Sequence, residues 1–238
     1  MKTFDSLVDD FRAVGISTGD TVLVHSSYKS LGEVDGGPRT ALDALMGAVG
    51  YYGTLILPTF NFDFCNGVPF NSLTTPSRMG IISELGRQHP WARRWIHPIY
   101  SCAVIGRMYQ SPTYIGHTSY GRDSIFQELR DRDGLILVIG LEYNDSMTFF
   151  HHVEQLEEVN YREHKTFWGE VDGKYASAEM FVRKPGVVTQ VNPMGYELER
   201  QGLVNKLGPL KLMNANQVYD ATVKLITNEP GLLYERPD

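Results

Sequence analysis

The sequence predicts an α/β domain in which helices pack in layers against a sheet. Short continuous runs of β-branched and aliphatic residues alternate with segments whose apolar residues recur at helical spacing. Of the 238 residues, 42% are hydrophobic and 21% are charged, a composition that excludes disordered, collagen-like and coiled-coil chains. We find no internal repeat and no linker rich in Gly, Ser or Pro. We therefore predict a single domain over residues 1–238.

The first part of the chain predicts two helices, each followed by a strand. Phe4, Leu7 and Phe11 have the spacing of one helical face. Residues 21–25 form a continuous β-branched and aliphatic run, which is typical of a strand buried on both faces. The predicted elements are a helix over residues 4–14, a strand over 21–25, a helix that begins at Pro38 and a strand over 54–57.

The remainder predicts further strands that end at glycines and helices that begin at Ser, Asp or Asn, the residues that most often cap helix N-termini. Two alternating segments are predicted to pair as strands. These elements are a helix capped by Ser77, a strand over 101–105, a helix from Ser124 to about 131, a strand over 135–139, a helix capped by Asp145 or Ser146, strands around 165–171 and 175–183, and helices that begin at Asn192 and Asn214.

No regular element is predicted for residues 59–76, and a loop this long inside a compact domain is usually functional. Asp63 is the one acidic residue in it. Four phenylalanines surround that residue in sequence, namely Phe60, Phe62, Phe64 and Phe70. Aromatic surface of this kind suits the apolar face of a sugar or a nucleobase.

Charge and cysteine content limit the classes of partner. Lys and Arg number 22 against 28 Asp and Glu, a net charge of −6, which disfavours nucleic acid or an anionic membrane as the main partner. The two cysteines cannot form a disulfide framework or a four-thiolate zinc site. With no signal-like or membrane-spanning segment either, we expect a cytoplasmic protein with reduced thiols.

A serine- and glycine-rich loop follows the first predicted strand, at the end where open α/β sheets bind ligands. Its hydroxyl groups, its backbone N–H groups and the start of the next helix are suited to an anionic ligand. The loop contains neither a Walker A motif nor G-x-G-x-x-G, so an ordinary surface turn stays open as an alternative. Its residues are His25, Ser26, Ser27, Tyr28, Lys29, Ser30, Leu31 and Gly32.

A second group of reactive side chains lies on the predicted helix near residue 150. His151 and Glu154 are three residues apart and share one helix face, whereas His152 points about 100° away. A carboxylate beside an imidazole fixes its tautomer and raises its basicity, as a general base requires. A His–Glu pair on a helix surface is the alternative. Further ligands at metal-binding spacing are missing, so we expect no metal.

Two other histidines lie in polar segments just before predicted elements. His97 precedes the strand over 101–105, and His117 precedes the helix from Ser124. His97 comes directly before a proline, which favours an extended conformation and a tight turn. A hydrolase using either histidine lacks a nucleophile, because no G-x-S-x-G motif is present and neither cysteine lies in an electropositive sequence context.

Taken together, these segments resemble the aminoglycoside 3-N-acetyltransferase family. The resemblance runs in order from about residue 20 to 160, and the family's helix motif T-x-x-H-x-x-E falls on Thr148, His151 and Glu154. The other matching segments are residues 24–27, 30–32, 36–37, 53–60, 76–80, 97–98, 105–106 and 123–124, with Ser101.

The resemblance implies an α/β/α layered fold, distinct from that of the GNAT acetyltransferases, and transfer of an acetyl group from acetyl-CoA to a sugar amine. It implies that the loop from His25 to Gly32, with Ser101, surrounds acetyl-CoA. It also implies that His151 is the catalytic base and that Glu154 lies beside it. We expect direct transfer in a ternary complex, in which Thr148 or the serine loop donates to the thioester oxygen.

The sequence departs from the family where the acceptor is expected. Family members usually read N-T-S-L-H-L-A-E, whereas Met147, Phe149 and His152 replace the Asn, the Ser and the second Leu. We expect Asp63, Phe60, Phe149 and His152 to contact the acceptor, with a purely structural His152 as the alternative. An amino sugar, in nucleotide-linked form, is our expected acceptor. An aminoglycoside antibiotic and a non-catalytic CoA-binding module are the alternatives, and a homo-oligomer stays open.

Overall fold

The computed structural model describes residues 1–107, 118–229, 231 and 233–235. The helices in this part of the chain are α1 (Phe4–Ala13), α2 (Gly37–Val49), α3 (Ile81–Arg87), α4 (Ile125–Asp131), α5 (Phe149–Leu156), α6 (Asn192–Arg200) and α7 (Ala215–Asn228). The strands are β1 (Thr21–Ser26), β2 (Thr54–Pro58), β3 (Ala92–Trp95), β4 (Cys102–Gly106), β5 (Leu135–Ile139), β6 (Arg162–Val171), β7 (Lys174–Arg183), β8 (Val188–Thr189), β9 (Asn205–Leu207), β10 (Leu210–Asn214) and β11 (Tyr234–Glu235).

Seven strands form one mixed sheet in the order β3-β4-β2-β1-β5-β10-β9. The central strand β1 pairs in parallel with β2 and β5, and the strands on both flanks run antiparallel to their neighbours. The carboxyl ends of β1, β2 and β5 therefore meet at one edge of the sheet, where the loop after β1 begins.

Helices cover both faces of this sheet, which confirms the predicted layered α/β class. Val22 and Val24 of β1 point into a core that also contains the apolar residues of α1 and α2. Leu23 points the other way, into a core shared with α4, α5, α6 and α7. Burial on both sides explains why β1 reads as a continuous aliphatic run rather than an alternating one. In the described ranges no helix is both long and apolar enough to cross a membrane.

β6 and β7 form a separate antiparallel hairpin. Ala178 and Phe181 on β7 belong to the same core as the inner face of α5. A bridge between Phe70 and Val171 joins the hairpin to the loop over residues 59–76. This packing holds Arg162, the first residue of β6, beside Glu154 of α5.

Most predicted elements are confirmed, and the differences lie at helix starts and sheet edges. α3 begins after Gly80 instead of Ser77, whose hydroxyl accepts from the backbone N–H of Met79. α5 begins after Thr148, because residues Tyr143–Asp145 form a short 3-10 helix of their own. β3, β9 and β10 were not predicted, since short antiparallel flanking strands depend on neighbours that sequence periodicity does not reveal.

Gly140, at the end of β5, allows the loop after β1 to lie against the sheet. Its φ is +62°, and a Cβ atom there would collide with the side chain of Ser30. We expect Gly140→Ala to destabilise the fold by about 1–3 kcal/mol and to displace this loop. Gly173→Ala is the matched control, because its φ is +79° but nothing lies within 4 Å of the added atom. Equal losses in urea unfolding would contradict a steric role for Gly140.

Candidate active site

The α5 helix presents a polar face at its first turn. Its cap residue Thr148 makes no capping hydrogen bond through its side chain. The apolar residues Phe149, Phe150 and Val153 pack into the core, so the opposite face turns His151 toward a cavity. The amphipathic spacing of a helix of only eight residues thus orients the histidine.

His151 and Glu154 form the pair that the sequence predicts. Nδ1 of His151 lies 2.6 Å from Oε2 of Glu154, and the glutamate side chain is completely buried while 24% of the histidine side chain is exposed. A carboxylate accepts, so the proton belongs on Nδ1. Nε2 then carries the lone pair, as a general base requires.

Arg162, which sequence reasoning missed, closes the group. Its Nε lies 2.8 Å from the same Glu154 oxygen, its Nη1 donates to the carbonyl of Phe181 at 3.0 Å, and its Nη2 is 2.9 Å from Nδ1 of His151. Tyr161 donates to the other oxygen of Glu154 at 2.7 Å. No periodicity links Arg162 to α5, so only the hairpin packing reveals it.

These neighbours set the ionisation states. Burial and the positive charge of Arg162 lower the pKa of His151 below its usual 6.5, against the opposing effect of Glu154. Burial raises the pKa of Glu154, but His151, Arg162 and the Tyr161 hydroxyl outweigh burial and hold it below its usual range. At neutral pH the group therefore consists of a neutral imidazole, a carboxylate and a guanidinium.

His151 opens into a cavity of about 620 Å³. Thr148 lines this cavity, and its hydroxyl has no hydrogen-bond partner among the described residues. The cavity is lined by Tyr100, Tyr120, Asn144, Asp145, Met147, Thr148, His151, Arg162, Met180, Phe181, Val182, Arg183, Thr189 and Val191.

The loop after β1 has the features that an anionic ligand needs. The hydroxyls of Ser26 and Ser27 and the exposed ammonium of Lys29 have no side-chain partner in the part of the chain described. The Tyr28 hydroxyl lies 3.9 Å from a Cβ position built on Gly37, at the N-terminus of α2, where unpaired N–H groups favour anions. The Ser30 hydroxyl is occupied, since it donates to the carbonyl of Ser27.

A row of aromatic rings connects this loop to the His151–Glu154 pair. His25 makes an edge contact with Phe60 at 6.4 Å, and Phe60 makes another with Tyr100 at 4.7 Å. Tyr100 then contacts Tyr120 at 4.8 Å, and Tyr120 contacts His151 at 5.3 Å. The two predicted groups therefore lie on the same side of the sheet, joined through rigid side chains.

Two residues predicted to contact the cofactor have buried side chains. Ser101 is completely buried, and its hydroxyl bonds with Thr59 and accepts from Nε of Arg94. Leu31 points its side chain into the core beneath α2. Neither side chain is available to a ligand in this structure, because burial and existing contacts occupy both.

The predicted acceptor contacts lie outside the cavity. Phe60 and Phe149 are core residues with at most 2% of their surface exposed. Asp63 forms an ion pair with Arg78 at 2.6 Å and is not among the lining residues. The loop over residues 59–76 buries Phe60, Phe64 and Phe70, whereas Phe62 is 40% exposed. The β6–β7 hairpin packs on this loop.

The other histidines have structural environments. His152 is completely buried, and its Nδ1 donates to the carbonyl of Tyr120 at 2.5 Å, an environment that favours the structural alternative. Nδ1 of His97 accepts from the N–H groups of Ile99 and Tyr100. His117 lies outside the described residues.

Buried histidines make the fold sensitive to acid. Burial lowers the pKa of His25 and of His152 to about 4, so between pH 6.5 and 4 the unfolded chain binds more protons than the folded one. We expect each of the two to cost about 2 kcal/mol of stability at pH 5 relative to pH 7. Urea unfolding at both pH values measures this loss. His152→Phe should reduce it, and an unchanged pH dependence in that variant would contradict the assignment.

Within the described ranges, no group of three or more His, Cys, Asp or Glu side chains is arranged to hold a metal ion. The expectation of metal-free chemistry stays a prediction.

A family model described as aminoglycoside 3-N-acetyltransferase matches residues 23–227. One relative is the SPbeta prophage-derived aminoglycoside N(3')-acetyltransferase-like protein YokD of Bacillus subtilis (strain 168). It is 32% identical over 180 residues, which are 64% of this chain and 65% of that protein. The aligned region thus spans slightly less than two thirds of that relative.

Solved structures share the fold at low sequence identity. The apoenzyme of aminoglycoside acetyltransferase AAC(3)-IVa superposes with a TM-score of 0.85 at 20% identity, covering 99% of this chain and 92% of that one. The binary complex of AAC-IIIb with CoASH superposes with a TM-score of 0.81 at 20% identity, covering 95% and 97%.

Proposed function

The chain belongs to the aminoglycoside 3-N-acetyltransferase family, and from this premise we propose that it is an acetyl-CoA-dependent N-acetyltransferase for the amino group of a sugar. The observation that carries the proposal is the His151–Glu154 pair, with the free imidazole nitrogen assigned to the side open to a cavity. We also propose that residues 1–238 form one acetyltransferase domain.

Acetyl-CoA fits the loop after β1. Ser26, Ser27 and Lys29 offer donors and a positive charge, and Tyr28 of the same loop lies near the N-terminus of α2, which suits the phosphates and the amide-rich pantetheine arm. His25 adds a buried Nε2 that has no partner among the described residues. The complex of AAC-IIIb with CoASH, a protein of the same fold, supports the assignment.

The residues of α5 are arranged for direct transfer. Acetyl-CoA supplies a thioester carbonyl, and the acceptor supplies an amine that arrives as ammonium at neutral pH. Nε2 of His151 takes one proton from the ammonium, and the freed lone pair forms the new N–C bond at the thioester carbonyl. The C–S bond then breaks, and the second proton lost from the nitrogen goes to the departing sulfur, which leaves the amide and the CoA thiol. Glu154 holds the imidazole in the Nδ1–H tautomer and balances the positive charge that the ring acquires.

The remaining acceleration comes from positioning and from charge stabilisation. Thr148 is three residues before His151, and its unpartnered hydroxyl is our candidate donor to the developing oxyanion. Holding both substrates in one complex converts a bimolecular reaction into a unimolecular one. Direct transfer involves no covalent acyl-enzyme, because the acceptor nitrogen itself attacks the thioester carbonyl.

An aminoglycoside is the second candidate acceptor. The description of the family and the names of the relatives favour it. The cavity favours it less, because Asp145 is the only exposed carboxylate among its described lining residues. A polycation with several ammonium groups needs more carboxylates to offset their desolvation.

A non-catalytic CoA-binding module is the competing class. Thr148, His151 and Glu154 are all present with the geometry of a base and its partner, a cluster that a module for binding alone does not need. Titration calorimetry with acetyl-CoA, followed by mass spectrometry of an amino-sugar panel, separates the classes. We expect binding and a mass gain of one acetyl group. Binding without any acetylated product would favour the module, and no binding at millimolar acetyl-CoA would refute both.

A further inference from the structure

Two arginines face each other across the β6–β7 hairpin at the wall of the cavity. Arg162 and Arg183 are direct register partners, and both line the cavity. Directly opposed like charges on neighbouring strands destabilise a hairpin. An anion beside each guanidinium would relieve this repulsion, so the partners of the two residues indicate what the site can hold.

The described structure supplies one of these anions. Glu154 compensates Arg162 through the contact of 2.8 Å between its Oε2 and Nε of the arginine. Arg183 is exposed and has no ion pair or hydrogen bond through its side chain within the described ranges. Its positive charge nevertheless acts on His151, so the guanidinium lies within electrostatic reach of the base.

One acidic side chain stands at the same cavity without a partner. Asp145 is exposed, lines the cavity and forms no ion pair with any residue described. Because Arg162 and Glu154 compensate each other, the cavity offers a bound molecule one free positive charge and one free negative charge. A ligand complementary to this arrangement carries one ammonium and one anionic group.

Resting on the proposed function, we infer that the acceptor is an amine with an anionic substituent, a phosphate or a carboxylate, which Arg183 binds while Asp145 attracts the ammonium. We assign acetyl-CoA to the loop after β1, and no residue of that loop lines this cavity. We therefore assign Arg183 to the acceptor and not to acetyl-CoA. Arg183 is accordingly a specificity-determining residue for the acceptor. The acetyl transfer itself proceeds as described above.

The experiment compares glucosamine with two anionic counterparts, glucosamine 6-phosphate and 2-amino-2-deoxyglucuronic acid, by calorimetric binding and by kcat/KM at fixed acetyl-CoA. We expect the wild-type chain to prefer at least one anionic amine by about tenfold or more, as a charge-assisted contact provides. Arg183→Ala should abolish this preference. Lys184→Ala, which removes a neighbouring charge outside the cavity lining, should preserve it. The two anionic probes distinguish a phosphate site from a carboxylate site.

Protein stability separates this role from a structural one. Removing Arg183 relieves the repulsion from Arg162, so urea unfolding should show Arg183→Ala to be as stable as wild type or more so. Equal affinity of wild type for glucosamine and both anionic amines would overturn the inference, as would a loss of acetyl-CoA affinity in Arg183→Ala with the acceptor preference unchanged. A preserved binding preference without acetylation would instead refute the proposed function alone.

Discussion

Replacing His151 with alanine is expected to lower kcat by at least about a hundredfold while leaving acetyl-CoA affinity nearly unchanged. In the proposed mechanism the imidazole takes the proton from the attacking amine, and general-base catalysis typically contributes about 10²–10⁴-fold. The affinity for acetyl-CoA should remain close to that of wild type, because His151 lies on α5 and not in the loop after β1 where we assign acetyl-CoA. Steady-state kinetics with any accepted amine, paired with acetyl-CoA calorimetry, measures both quantities.

His89→Ala is the matched control for this experiment. His89 is half-buried just before β3 and is not among the described residues that line the cavity, and its Nδ1 accepts from the N–H of Trp91. It should retain wild-type kinetics. An activity of His151→Ala within a few-fold of wild type would show that another group serves as the base, and equal losses in folded His151→Ala and His152→Ala would remove the distinction between the two neighbours.

Loss of Glu154 should produce the largest change in stability. Glu154→Leu leaves Arg162, a guanidinium with 5% of its side chain exposed, without its anion in the interior. Breaking a buried ion pair by removing one partner typically costs about 3–5 kcal/mol. We expect a loss of that size in urea unfolding at neutral pH, together with a loss of acetylation, because the imidazole loses the carboxylate that fixes its tautomer.

Two further variants keep this prediction testable. Glu154→Leu combined with Arg162→Met replaces the whole pair by apolar groups and should recover much of the stability but none of the activity. Glu128→Ala removes an exposed pair with Arg132 and should cost less than about 1 kcal/mol. A cost for Glu154→Leu as small as for Glu128→Ala would contradict a buried, compensated charge.

Local sequence patterns predict much of the fold and part of the candidate site. The continuous aliphatic run over β1 predicts a strand buried on both faces, and α7 begins where Asn214 caps it by accepting from the N–H groups of Asn216 and Gln217. The spacing of three residues between His151 and Glu154 likewise predicts their contact, because it depends only on the geometry of one helix.

What sequence patterns missed depends on contacts between distant segments. Arg162 reaches Glu154 only because the hairpin folds back over α5. Phe60 and Ser101 lie in polar or aromatic segments that read as ligand contacts, yet the fold buries both. A loop's composition does not reveal which of its side chains a neighbouring element will cover.

The most direct test of the account is thiol release from acetyl-CoA by the wild-type chain, measured with and without an amino-sugar acceptor and matched to N-acetyl product by mass spectrometry. The account predicts one thiol per acetylated amine, release that depends on the amine, and a loss of both signals in His151→Ala. Thiol release that does not depend on the amine and yields acetate would contradict the proposed transfer. Thiol release that persists in His151→Ala would also contradict it.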